Sequence, residues 1–443
     1  MAEINFSIDW LSSESSSPIF RDTSGQLAIH LDSICLTRNE DVWSSTVRDS
    51  VLVSAYPLAL WLASSWWRLN FEPLPHFNVR PLLDWRMAHE LGAANHGYVW
   101  PRIIFAADGQ SVNVWAEQVQ TVGQSVQYLY GLDVSRAVPL ADFQRRIGGF
   151  IERVITRLRA LGHHSTDLAE LWTLIREDRG CPESARYRVL EAQMGYDPDE
   201  CPEQVIAEAL TLQKETGATA MSELAPVFGR RSEGRSGFTE ISDLASQSGI
   251  QGRPQISAED LEPSPRSLKP WERGVDSARQ LRKKIGNSEE PIKNAEIYEL
   301  LGITERQVED WDSSDRSKVA IAAPMSGNGL KYVPRKKHPI AKRFEFARLI
   351  GEILDRPKAD DGWLVSTDVA TAKQKRQRSF AAEFLCPINS LVGYLAGEYS
   401  ESSFEDAAEH FNVSEKTIES LLANNGYLDN SSSEPKVPYR SAC

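Results

Sequence analysis

What this chain lacks narrows it first. Its 443 residues hold only five cysteines. They are Cys35, Cys181, Cys201, Cys386 and Cys443, and no two have C-x-x-C spacing. An odd, scattered set argues against a disulfide scaffold and fits a reducing compartment. Long apolar runs are missing too. The longest, Val51 to Leu62, is interrupted by Ser54, Tyr56 and Pro57 and is too short to span a bilayer. The opening residues, Met1-Ala2-Glu3-Ile4-Asn5-Phe6, lack the basic and apolar regions of a signal peptide. The expectation is a cytoplasmic protein without membrane contact. Basic charge is also in deficit, with 49 Lys and Arg against 62 Asp and Glu, net −13. That excludes bulk nucleic-acid binding by the whole surface and leaves only a local basic patch. No internal repeat is found.

What is present is ordinary for a globular chain, 41% hydrophobic and 25% charged. The length suits two or three domains. The expected fold class is α+β and multidomain. Residues 1–138 form a Trp-rich α+β domain in this reading. Ile4–Ile8, Leu27–Leu31 and Ile34–Leu36 read as strands. Trp43 to Trp67 reads as more helical, with Val47, Val51, Ala55, Leu58, Leu62 and Trp66 at mostly four-residue steps. Asp108-Gly109 between two β-branched runs signals a hairpin.

From Pro139 the period becomes helical. Phe143, Ile147, Phe150, Ile151, Val154, Ile155 and Leu158 form one stripe that ends at Gly162. Further helices carry Leu168 to Ile175 and Ala185 to Met194, and Pro202 opens another. Residues 139–228 are therefore expected to be a helical domain. Residues 229–268, with the Gly/Ser/Arg run Gly229 to Gly237 and later prolines, read as a linker. A short helix around Ile241 to Ile250 is expected within it. Residues 431–443 read as a disordered tail.

The most informative stretch is Arg343-Phe344-Glu345-Phe346-Ala347-Arg348-Leu349-Ile350-Gly351-Glu352-Ile353-Leu354. It has the frame of R-F-x-x-A-H-E-L-G-H-x-L. In such a helix two histidines four apart hold zinc, and the glutamate between them activates water. Here those positions are Arg348, Leu349 and Glu352. A guanidinium offers a metal no lone pair, and leucine is no base. Downstream, Arg378-Ser379-Phe380-Ala381-Ala382-Glu383-Phe384-Leu385-Cys386-Pro387 resembles the E-x-x-A-N-x-F-A-A-x-L-L-M-P signature of the ImmA/IrrE metallopeptidase-like family. Phe404 to Ser414, followed by Ile418, Leu421 and Leu422, is similar to that family's closing segment. Ala278 to Gly286 and Glu299 to Ile303 resemble its leading helices. The resemblance covers residues 269–430 and implies a mostly helical, degenerate zincin-like domain. The family's third ligand is an acidic residue, and here the segment is Gln374-Lys375-Arg376-Gln377. Ligands and base depart together, so the resemblance implies a pseudo-peptidase with no metal, no cofactor and no catalytic residue.

Other constellations compete with this one. His89, Glu90 and His96 begin like H-E-L-G-H, but Ala93 fills the second ligand position. His96 lies two helical turns from His89, about 10 Å along an unbroken axis, which is too far for one zinc. Trp61, Trp66, Trp67, Trp85, Trp100 and Trp115 could line a pocket or fill a core. Lys331, Arg335, Lys336, Lys337, His338, Lys342 and Arg343 crowd just before the degenerate helix, and Lys373, Lys375, Arg376 and Arg378 crowd where the third ligand should be. Together they form a candidate anion- or nucleic-acid-binding groove. Phe404 to Gly426 reads as helix-turn-helix with Ser414 as N-cap.

The first functional expectation is an inactive regulatory, sensor or scaffold protein with a protein partner. What the resemblance implies is a role in bacterial phage defence, toxin–antitoxin or stress response. The alternatives are a nucleic-acid-binding regulator and a zinc protease with relocated ligands.

Overall fold

Alternation sets the first sheet. In β1 (Ile4–Trp10), Ile4, Phe6 and Ile8 are buried while Asn5 and Asp9 face solvent, the period of two that one buried face requires. The short helix α1 (Pro18–Asp22) leads into β2 (Ser24–Leu31), which runs antiparallel to β1 with Ile4 opposite Leu31. Next come β3 (Ile34–Cys35), β4 (Asn39–Asp41), β5 (Thr46–Arg48) and β6 (Val51–Ser54). Both β3 and β6 pair with β2, and β4 pairs with β5. The structure, a computed structural model, describes residues 2–75, 80–118, 123–229, 237–265, 267–311, 317–356, 361–428 and 438.

The helical reading of Trp43 to Trp67 is corrected here. Thr46–Arg48 and Val51–Ser54 are strands, and the helix begins only at Ala55. Val47, Val51 and Val53 are β-branched, and sheet partners override the four-residue spacing. Ser54 caps α2 (Ala55–Ser64), its hydroxyl accepting from the Tyr56 N–H. There follow α3 (Trp66–Phe71), α4 (Leu83–His89), and the hairpin of β7 (Arg102–Ala107) and β8 (Ser111–Glu117). Asp108 closes its turn by accepting from Ser111 N at 2.9 Å. β9 (Val126–Tyr128) joins β4, and β10 (Arg136–Pro139) joins β8. The six tryptophans singled out above are all buried.

The stripe expected after Pro139 is α5 (Leu140–Ala160), followed by α6 (Asp167–Gly180) and α7 (Pro182–Gln193). Phe143, Ile147, Phe150, Ile151 and Val154 share one core with Ile4, Phe6 and Leu27. The chain divides into units built on Met1–Cys201 and Pro202–Ser433. The expected helical domain 139–228 is thus split between them, because a helical stripe reveals that it is covered but not by what.

The second unit begins with α8 (Glu203–Thr216), α9 (Ala218–Phe228) and α10 (Phe238–Ser246). β11 (Ile250–Gly252) is an edge strand paired with β13 (Leu330–Val333), so the described part of 229–268 includes a helix and a sheet strand. The Arg230–Ser236 run lies outside the described residues, as does nearly all of the expected tail. α11 (Pro270–Lys284), α12 (Asn294–Leu301) and α13 (Glu305–Glu309) precede β12 (Ala320–Pro324) and β13 (Leu330–Val333). Then come α14 (Pro339–Asp355), β14 (Leu364–Ser366), α15 (Ala372–Leu385), α16 (Ile388–Leu395), α17 (Glu401–Phe411) and α18 (Glu415–Asn424). The sheet order is β11-β13-β12-β14, all antiparallel.

α15 is held between α11 and α14 by two close approaches. A Cβ on Gly274 would meet the Arg376 carbonyl oxygen at 2.4 Å, and one on Gly351 would meet the Phe380 ring at 2.7 Å. Phe346, Ile350, Phe380 and Phe384 fill the core behind them. Among the described residues no helix is long and apolar enough to cross a membrane.

Candidate functional site

The site is built where α14, β14 and the start of α15 meet. Thr371 caps α15, its hydroxyl accepting from the Gln374 N–H. That cap fixes Gln374 in the first turn, beside the open edge of β14. Gln374 then behaves as the next strand would. Its Nε2 donates to the Val365 carbonyl at 3.1 Å, and its Oε1 accepts from Thr367 N at 2.9 Å.

Arg348 reaches the same place from α14. Its Nη2 donates to the Thr367 carbonyl at 2.6 Å and to Gln374 Oε1. Glu352, one turn on, does not pair with Arg348. Its Oε1 takes the Lys373 ammonium at 2.5 Å, and its Oε2 accepts from Gln377 Nε2 at 2.7 Å. Gln377 Nε2 also donates to the Val365 carbonyl at 2.9 Å. Arg348, Glu352 and Gln374 are therefore brought together, whereas Leu349 turns wholly into the core.

The electrostatics follow from burial. Arg348 is only 4% exposed. Desolvation, then repulsion from Arg378 and Arg335, holds its guanidinium down at about 9. Asp368 stands at 4.0 Å from Nη1, at the limit of an ion pair. Asp368 is committed elsewhere, accepting from Arg335 Nη1 and Nη2 at 2.9 and 2.8 Å. Glu345 takes Arg335 Nε and its backbone N–H, both at 2.8 Å. Glu223, from α9, accepts from the Thr371 hydroxyl at 2.8 Å, and burial raises its carboxyl above the ordinary range. Sequence reasoning missed Glu223, and it noted Lys373 only as one of a basic group and Gln377 only as part of the third-ligand segment, without their roles on Glu352. The one available signal was the run of long polar side chains, Lys373 to Arg378, on a helix whose core face should be apolar.

Arg348 brings no lone pair, and both Glu352 oxygens are engaged. The cluster can hold its own charges in place, but it offers neither a free base nor a ligand set. Among the described residues no group of three or more His, Cys, Asp and Glu side chains could hold a metal ion.

The histidine constellation is not assembled. α4 ends at His89, and a 3₁₀ turn follows at Leu91–Ala94. His89 is buried, with Nε2 at 3.0 Å from Glu72 Oε2 and Nδ1 at 2.9 Å from the Phe105 carbonyl. Its ring stacks on Trp85 at 4.0 Å. Glu72 in turn accepts from Arg68 Nε at 2.7 Å. Glu90 pairs with Arg86, and His96 is exposed beside the Phe20 ring. The break in the helix sends the three side chains into different surroundings.

The basic candidates also divide. Lys336 and Lys337 are exposed. Lys342 donates to the Val308 carbonyl at 3.4 Å. Arg343 is buried on Asn294 Oδ1 at 2.6 Å and the Ile292 carbonyl, and desolvation brings it down to about 10. Arg376 pairs with Asp355, and Arg378 turns toward the Val369 carbonyl at 3.4 Å. Arg343, Arg376 and Arg378 thus serve internal acceptors instead of a shared open groove. In the helix pair α17–α18, Ser414 does cap α18, accepting from Thr417 N. Phe404, Ala408, Ile418 and Leu421 are buried. Compared with known proteins, the chain matches no family model, no curated protein and no solved structure.

Proposed function

We propose that this chain is a non-catalytic, ImmA/IrrE-like pseudo-peptidase that works by binding a protein partner as a regulator, sensor or scaffold. The observation that carries the reading is the convergence of Arg348, Glu352 and Gln374. These residues stand at the ligand positions of the motif, on two helices far apart in sequence, yet Arg348 donates directly to Gln374. Side chains that once shared a metal must lie within one small volume, and this juxtaposition supports such an origin. What now fills the volume supports loss of the chemistry. A cationic guanidinium replaces one ligand, and the Lys373 ammonium is bound to the second. A role in bacterial phage defence, toxin–antitoxin or stress response belongs to the same proposal and rests on the resemblance alone.

Reversion tests it. The variant Arg348→His, Leu349→Glu, Glu352→His and Gln374→Glu, with Lys373→Ala to remove the competing cation, should take up about one zinc per chain by elemental analysis. The parent protein should take up none. A folded revertant without zinc affinity would show that these positions never formed a metal site. Stoichiometric zinc on the parent would defeat the reading from the other side.

A further inference from the structure

The buried Arg348 guanidinium is only partly served. Nη2 has two acceptors, the Thr367 carbonyl and Gln374 Oε1, whereas Nε has none. Among the described residues, Nη1 has one carboxylate within ion-pair reach, Asp368 Oδ1 at 4.0 Å. The same oxygen accepts from Arg335 Nη2 at 2.8 Å, and Oδ2 accepts from Arg335 Nη1 at 2.9 Å. Two guanidiniums therefore face one carboxylate, and Arg335 takes it in a bidentate grip. Both arginine side chains are buried, while that of Asp368 is 57% exposed. Asp368 lies in the short connection between β14 and α15. Its side chain stands between two buried cations and solvent.

We propose that Arg335 and Arg348 form a carboxylate-binding seat in which Asp368 is the resident self-ligand, exchanged for an acidic side chain of a protein partner. The seat is built independently of its occupant. Arg335 is fixed by Glu345 on Nε and by the Lys318 carbonyl on Nη1, both at 2.8 Å. Arg348 is fixed by its two Nη2 bonds. Asp368 leaves by rotation about its own side-chain bonds, which asks nothing of the backbone. The vacated guanidinium fork matches the planar geometry of an incoming carboxylate. Charge selects the same ligand. Burial pushes the Asp368 carboxyl up, but Arg335, Arg348 and the exposed Lys336 outweigh it and hold it below the ordinary range. Three cations thus stand against the two carboxylates Glu345 and Asp368, and a metal cation would be repelled. A nucleic acid needs a row of open cations, whereas Arg335 and Arg348 are both buried. A phosphate brings a tetrahedral shape and a second charge to a place that one planar carboxylate fills. The inference deepens the proposed function by naming the chemistry of the partner's group, and it rests on that reading only for the carrier being a protein.

Acetate is the probe, followed by saturation-transfer NMR on the folded full chain. Asp368→Ala empties the seat and should bind acetate about tenfold more tightly than the parent, whose own carboxylate competes. Adding Arg348→Met should weaken acetate binding to Asp368→Ala about tenfold. Asp368→Asn keeps the size and loses the charge, and it should rank the same way against the parent if the alanine variant does not fold. A short glutamate peptide blocked at both ends should compete with acetate. Absence of acetate binding to the folded variants, or binding indifferent to Arg348, overturns the inference. Binding by the variants with none by the parent would make Asp368 a fixed structural partner and overturn the exchange. Acetate binding that the blocked peptide leaves untouched would rule out a partner's side chain, and tighter binding of inorganic phosphate would rule out the carboxylate. A revertant without zinc leaves this seat standing, and lost acetate binding leaves the pseudo-peptidase reading standing, so the two fail separately.

Discussion

Arg348→Met should stabilise the second unit, although it deletes two hydrogen bonds. The guanidinium is held at about 9, well below the ordinary arginine range. At about 1.4 kcal/mol per pH unit, that corresponds to a burial cost of about 5 kcal/mol at neutral pH. The sign is that of a cation whose folded value is depressed. The cost is fully present below pH about 9 and lifts only as pH rises toward the unfolded value. Methionine is unbranched and of similar reach, so it removes the charge without opening a large cavity. The loss on the other side is small. Gln374 Oε1 keeps its bond from Thr367 N. The Thr367 carbonyl loses its guanidinium donor, at a cost of about 1–3 kcal/mol. The net expectation is a gain of at least about 2 kcal/mol, the direction seen when buried ions give way to apolar groups. For a unit of this size that is roughly 4–8 °C in Tm. Calorimetry of the full chain, following the transition that carries the second unit, is the assay. A loss of about 3–5 kcal/mol instead would mean that Arg348 is natively paired. The account of an uncompensated buried charge would then be wrong.

Glu352→Gln should behave oppositely, because it removes a carboxylate from the Lys373 ammonium. A loss of about 3 kcal/mol is expected in urea denaturation, with most of it restored by adding Lys373→Met. Gly351→Ala drives a methyl to 2.7 Å from the Phe380 ring. Overpacking should cost about 1–3 kcal/mol despite the better helix propensity of alanine, and pairing it with Phe380→Leu should recover part of the loss. Glu223 is a carboxyl whose folded value is raised by burial. Its linkage makes the wild type gain stability as pH falls from that folded value toward the ordinary 4.5. Glu223→Gln should flatten that slope while keeping an acceptor for Thr371, and an unchanged pH profile would count against a buried, raised carboxyl.

Local order was legible in the sequence wherever one residue type dictates one conformation. The β1 alternation, the Asp108-Gly109 hairpin, the α5 stripe with its stop at Gly162 and the Ser414 cap all follow from short-range sterics and hydrogen bonding. The motif frame from Arg343 to Leu354 also foretold a helix, and α14 is one. Tertiary structure alone decided the rest. Val47 and Val51 fit a helical spacing, but strand partners claimed them, Glu40 for Val47 and the more distant Leu27 for Val51. The helices of 139–228 were divided between two cores, because periodicity reveals a face without naming its cover. The sequence already counted against His89 as a zinc ligand, but its actual partners, Glu72 and the Trp85 ring, were visible only in the fold. The partners of Arg348 were hidden for the same reason. Glu352 was the local candidate one turn away, but Lys373 and Gln377 claimed it from another helix. The guanidinium was left with Gln374, the Thr367 carbonyl and a charge that burial makes costly.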